Sequence, residues 1–79
     1  MSKINKLVME KGYYLFKLED LLNKKGISFN RLMSDTNTDF KTIKRLCTGD
    51  TTRIDLTVLA RFCTYLNCEV SDIVEFKRK

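Results

Sequence analysis

The chain has 79 residues, a length that bounds it to one domain and leaves little room for a deep catalytic cleft. Hydrophobic content of 43% against 32% charged residues excludes a disordered chain, and three glycines with no proline favour helices joined by short turns. A net charge of +5 without a single histidine favours a polyanionic partner, or serves solubility alone; it leaves general acid–base catalysis few candidates.

The first residues form either a basic arm carrying Lys3 and Lys6 or a short helix ending near Gly12, since Ile4, Leu7 and Val8 fall at helical spacing. Nothing apolar follows those lysines at the length of a secretory signal, and no run reaches the ~20 apolar residues of a membrane span. A cytoplasmic protein with no membrane partner is therefore expected. From Tyr13 to Lys25 a first helix is predicted, with Leu15, Leu18 and Leu22 as one stripe and Gly26 as its left-handed stop.

Ser28 suits the N-cap of a second helix over residues 29–35, with Leu32 and Met33 facing inward. Thr36-Asn37-Thr38 reads as a turn in which Asn37 takes positive φ. Asp39 then starts a third helix, residues 40–47, that turns Ile43, Leu46 and Cys47 inward, and Thr48-Gly49 stops it. Asp55 caps a fourth helix along Leu56, Leu59, Phe62, Cys63 and Leu66, the strongest helical stripe in the chain, ending at Asn67. A last short turn capped by Ser71 or Asp72 contains Ile73 and Val74, and Lys77-Arg78-Lys79 is expected to be a frayed charged tail.

The expected architecture is all-α: a compact bundle of four to five short helices, with a domain over residues 13–76 between an N-terminal segment, 1–12, and the tail, 77–79. Its core would comprise Leu18, Leu22, Ile27, Leu32, Ile43, Leu46, Leu59, Phe62, Leu66 and Ile73. No clear dimer face is legible; Leu21, Val58 and Tyr65 are the outer apolar positions that could contribute to one, although single exposed apolar residues are normal. Cys47, Cys63 and Cys68 are an odd set without close metal-ligand spacing, so small buried thiols are expected, with no metal and no cofactor.

Residues 28–49 have the layout cap, short helix, three-residue turn, cap, second helix. Such a tight turn forces a steep crossing and makes the second helix project its outer face. That face carries Phe40, Lys41, Lys44 and Arg45. An α-helix fits the DNA major groove, where a lysine or arginine donates to guanine O6 and N7 and an exposed phenylalanine meets a thymine methyl. Residues 38–53 hold four cations against two anions, whereas residues 55–76 hold one against four, so the positive side is that of the third helix. Backbone N–H groups at Ser28 and Phe29 suit a phosphate, and Thr48, Thr51, Thr52 and Arg53 can add hydroxyl and guanidinium contacts.

The string from Ile27 to Gly49, followed by Ile54-Asp55-Leu56-Thr57-Val58-Leu59 and by Leu66 to Phe76 with its Ser71-Asp72-Ile73 turn, resembles the Cro and lambda-repressor type helix-turn-helix proteins, the XRE family, in compact single-domain form. The resemblance covers residues 18–76. The family's helix 2 leucine falls on Leu32, its turn glycine on Asn37, its serine cap on Asp39, its Thr-Ile pair on Thr42-Ile43 and its closing glycine on Gly49. It implies a repressor that reads double-stranded DNA through Phe40, Lys41 and Arg45, with Lys44 close by and Phe29 as the helix 2 contact. Homodimers on palindromes are also implied, with no small-molecule ligand evident. Met33, Phe29, Phe40 and Thr38 depart from the residues usual there. The alternative is a helix-turn-helix module that binds another protein, of anti-repressor or antitoxin kind, through Phe29 and Phe40.

Overall fold

The computed structural model describes residues 4–79; Lys3, expected on the basic N-terminal segment, lies outside them. Four helices pack against a three-stranded antiparallel sheet, so the all-α expectation is corrected: β1 (Asn5–Met9), β2 (Gly12–Phe16), α1 (Leu18–Lys25), α2 (Phe29–Thr36), α3 (Phe40–Thr48), α4 (Leu56–Leu66), a 3-10 turn (Val70–Asp72) and β3 (Val74–Arg78). Strand order is β1-β2-β3.

The sheet replaces three expected features. Within the N-terminal segment, Asn5–Met9 form a strand rather than an arm or a helix. Helix α1 begins at Leu18 rather than Tyr13. The tail residues Lys77 and Arg78 pair in β3 instead of fraying. The physical reason is a run of strand-forming residues, Tyr13 to Phe16, whose alternate side chains divide between two faces. Phe16, Tyr14 and Gly12 share the face that meets the helices, opposite Asn5, Leu7 and Met9 on one side and Val74, Phe76 and Arg78 on the other. Leu15 points to the opposite face and is half-buried, so it is not the start of the α1 stripe. Gly12 cannot be replaced without displacing β3: a Cβ there would lie 2.2 Å from the Lys77 carbonyl oxygen and 2.7 Å from the Phe76 ring.

The helices follow from their caps. Ser28 Oγ accepts from Arg31 N at 3.1 Å and Asp55 Oδ1 from Thr57 N at 2.8 Å. Asn37 and Asn67 adopt positive φ at the ends of α2 and α4, as do Gly26 and Gly49 after α1 and α3. At the final turn the N-cap is Glu69 rather than Ser71 or Asp72, and Asp72 reciprocates from the third position of the turn.

Nine of the ten expected core residues are buried, and Ile27 packs half-buried against them. Phe16, Cys47 and Val58 join them in the buried cluster. Val58 is therefore a core residue and not an outer one, while the half-buried Tyr65 donates its hydroxyl to Asp35. Cys47 is buried and its thiol is pushed up to about 12, chiefly by burial; Cys63 and Cys68 are only half-buried. No helix among the described residues is long and apolar enough to cross a membrane.

Candidate nucleic-acid interface

Helix α3 presents two faces. Ile43, Leu46 and Cys47 are buried, and Lys41, Lys44, Arg45 and Thr48 are exposed with Phe40 45% exposed. The division follows from the 3.6-residue period, since three apolar positions at i, i+3 and i+4 commit the opposite side to solvent. The two ends of α3 are held differently. At its start, Asp39 takes the N-cap position and accepts a hydrogen bond from the Thr42 hydroxyl rather than from a backbone N–H. At its end, Gly49 adopts φ 76° and packs against Phe16, where a Cβ would stand 3.0 Å from the ring. The Asn5 side chain, reaching over from β1, donates to the Cys47 carbonyl oxygen.

The N-termini of α2 and α3 lie side by side. The Phe29 and Phe40 rings are 6.2 Å apart between centroids at a 56° tilt, and Lys44 Nζ lies 6.0 Å from the Phe40 ring. Phe29 is half-buried by this packing, so Phe40 is the more accessible member of the pair. Ser28 is exposed, and its hydroxyl is engaged by Arg31 N. The Phe29 and Asn30 N–H groups of the first turn of α2 have no carbonyl partner within that helix, as at any helix start.

Beyond the other end of α3, Arg45 meets the loop before α4. Arg45, Thr42, Thr51, Arg53 and Asp55 line a cleft of about 400 Å³ floored by Leu46, Ile54 and Val58. The loop is held in a local turn: Thr51 Oγ1 donates to the Arg53 carbonyl oxygen at 2.7 Å and accepts from Arg53 N at 3.2 Å. Thr48 Oγ1 donates to the Lys44 carbonyl oxygen at 3.0 Å. Both threonine hydroxyls thus direct their hydrogens at the backbone. Thr52 lies apart from this cleft, in an apolar groove under the sheet formed with Leu7, Met9 and Tyr14.

The charge on this side is uncommitted. Among the described residues the ion pairs join Lys17 and Lys77 to Glu75, Lys24 to Asp20 and Arg31 to Asp35. None takes up Lys41, Lys44, Arg45 or Arg53. Four cations therefore stand along one helix and its following loop outside these ion pairs, with Asp55 in the same cleft as Arg45 and Arg53. Such a set attracts phosphates and releases their counterions.

The structure thus brings Phe40, Lys41, Lys44 and Arg45 to one helix face, with Phe29 and Ser28 beside its start and Thr51 and Arg53 beside its end. Sequence reasoning missed Asn5 and Phe16, which hold the C-terminal end of α3. Asn5 is 42 residues from its carbonyl partner, and no local pattern announces such a bond. In comparisons with known proteins, a family model described as Cro/C1-type HTH DNA-binding domain matches residues 17–79. No curated protein and no solved structure matches the chain.

Proposed function

Because the chain belongs to the Cro/C1-type helix-turn-helix DNA-binding domain family, we propose that it is a sequence-specific repressor that reads the major groove with α3. The observation that carries this reading is the exposed face of α3 with three cations outside the chain's ion pairs, set on a helix whose C-terminal end is held by Phe16 and Asn5. Lys41 and Arg45 donate to guanine edges, Lys44 reaches a base edge or the flanking phosphate, and Phe40 contacts a thymine methyl. The tilted Phe29 ring supports Phe40 from behind.

Phosphates on either side fix the register. The N–H groups at the start of α2, at Ser28 and Phe29, face one strand. Arg53 is the principal donor on the other side, with Thr48 and Thr51 near it; Thr52, set in the groove under the sheet, reaches a phosphate only from that side. The hydroxyl hydrogens of Thr48 and Thr51 are already spent on carbonyl oxygens, so a phosphate must compete for them and Arg53 carries most of that contact. Two copies bind a palindrome as a homodimer, with half-sites about one helical turn apart.

Salt titration of duplex binding tests the phosphate assignment. Wild-type affinity is expected to fall linearly in log K against log salt. Arg53→Ala should weaken specific and non-specific duplexes alike and reduce that slope by about 1. An unchanged slope would remove Arg53 from the phosphate contacts, and binding without any salt dependence would count against DNA as the partner.

A further inference from the structure

At the end of α4 the chain turns back through Asn67, which adopts positive φ. The Cys63 carbonyl oxygen accepts there from Asn67 N and, at 3.0 Å, from Cys68 N. The second bond is that of a Schellman stop, which sets the residue after the left-handed one against the residue five before it. The same bond recurs at α1, from Ile27 N to the Leu22 carbonyl oxygen, and at α2, from Thr38 N to the Met33 carbonyl oxygen. Those stops pair Leu22 with Ile27 and Met33 with Thr38, and in each pair one member is buried. At α4 the facing pair is Cys63 and Cys68. Both rest against the core, yet both are only half-buried, so each keeps a side open to solvent.

We propose that Cys63 and Cys68 form a redox site, a dithiol that a low-molecular-weight disulfide oxidises to a Cys63–Cys68 disulfide across the stop of α4. The two thiols are hydrogen-bond partners. Burial, and then the adjoining Cys63, push the Cys68 thiol up to about 11; Asp72 acts on it in the same direction and Lys25 against it. Cys68 therefore holds its proton, and Cys63 attacks first. The Cys63 sulfur, as its thiolate, displaces one thiolate from the small disulfide and is left as a mixed disulfide. The Cys68 sulfur then gives up its proton, bonds to the Cys63 sulfur and displaces the second small thiolate. The protons of the two cysteines end on the two small thiols, so one small disulfide is reduced as one protein disulfide forms.

The third cysteine serves as a reference within the same chain. Cys47 lies buried on the inner face of α3, and a buried, protonated thiol is inert. A metal suits the pair less well. Among the described residues no third Cys, Asp or Glu completes a metal-binding group with it, whereas a structural zinc takes four ligands. The site uses none of the residues assigned to DNA, so its test contains no DNA.

Trypsin separates the thiols, because Arg61 and Lys77 bracket residues 62–77, which hold both Cys63 and Cys68, whereas Cys47 falls in residues 46–53. The folded wild type is incubated with oxidised glutathione, denatured, alkylated, digested and weighed by mass spectrometry. Residues 62–77 should be recovered two hydrogens lighter and without alkyl groups, and dithiothreitol should restore both alkylatable thiols. Cys47 should react at least about tenfold more slowly than the pair. In Cys68→Ser, Cys63 should instead accumulate the mixed disulfide with glutathione. Thermal melts establish that this variant is folded, and the wild-type result stands without it. Residues 62–77 recovered with two alkyl groups, with two glutathione groups or linked between chains would overturn the proposal, as would Cys47 reacting as fast as the pair. A folded Cys68→Ser protein whose Cys63 stays fully alkylatable would overturn Cys63 as the attacking thiol.

Discussion

Phe16→Ala is expected to cost about 3–5 kcal/mol, the range for a large aromatic removed from a packed core. That is a large share of the roughly 5–15 kcal/mol that a domain has in total. Phe16 is 2% exposed, sits between Asn5 and Val74 in the sheet and packs on Gly49 at the end of α3. Its loss separates the sheet from the helices and loosens the stop of the projecting helix together. Leu15→Ala is the paired control. Leu15 lies half-buried on the opposite face of the sheet, and its truncation should cost far less. Had residues 13–25 formed one helix, Leu15 would continue the stripe of Leu18 and Leu22 and would be the costlier loss. Urea unfolding of the two variants decides between these structures, and a larger cost at Leu15 would contradict the sheet.

The second large effect is on affinity. Each bidentate contact to a guanine is worth about 1–3 kcal/mol of discrimination. The side chains of Lys41 and Arg45 are both exposed and take part in none of the ion pairs among the described residues. The double variant Lys41→Ala, Arg45→Ala should therefore lose about 2–6 kcal/mol of binding to its cognate duplex, from roughly 30-fold to roughly 10⁴-fold. Its stability should stay within about 0.5 kcal/mol of wild type, because no packed or paired group is removed. That separation distinguishes a reading face from a folding one. Competition binding against a duplex of scrambled sequence, alongside thermal melts, measures both. Full affinity in the double variant would mean that α3 does not read the bases.

The helical half was legible in the sequence because its signals are local. Ser28 and Asp55 act as caps through bonds two or three residues away, and Asn37 and Asn67 stop helices by adopting a conformation that asparagine tolerates. The outward face of α3 was legible for the same reason, since Ile43, Leu46 and Cys47 fix it from the inside. The sheet was not. Its strands are five residues long, and β3 lies far along the chain from β2. The alternation of β2 is masked because its third position on the helix-side face is Gly12. Leu15 coincides with the helical spacing of Leu18 and Leu22, although it lies on the other face of a strand. Lys77 and Arg78 resemble a frayed tail because edge strands carry charge where they meet water. At the site, hydrogen bonding decides what composition could not. The threonines read as phosphate donors include Thr48 and Thr51, whose hydroxyls are turned to their own backbone.

The central claim, that α3 reads a specific duplex sequence, is tested most directly by selecting bound sites from a random duplex library at physiological salt. The wild type should enrich one motif containing guanines, arranged as two inverted halves about one helical turn apart. The Lys41→Ala, Arg45→Ala protein should not enrich that motif. A library recovered without any enriched sequence, or the same motif recovered by both proteins, would contradict it.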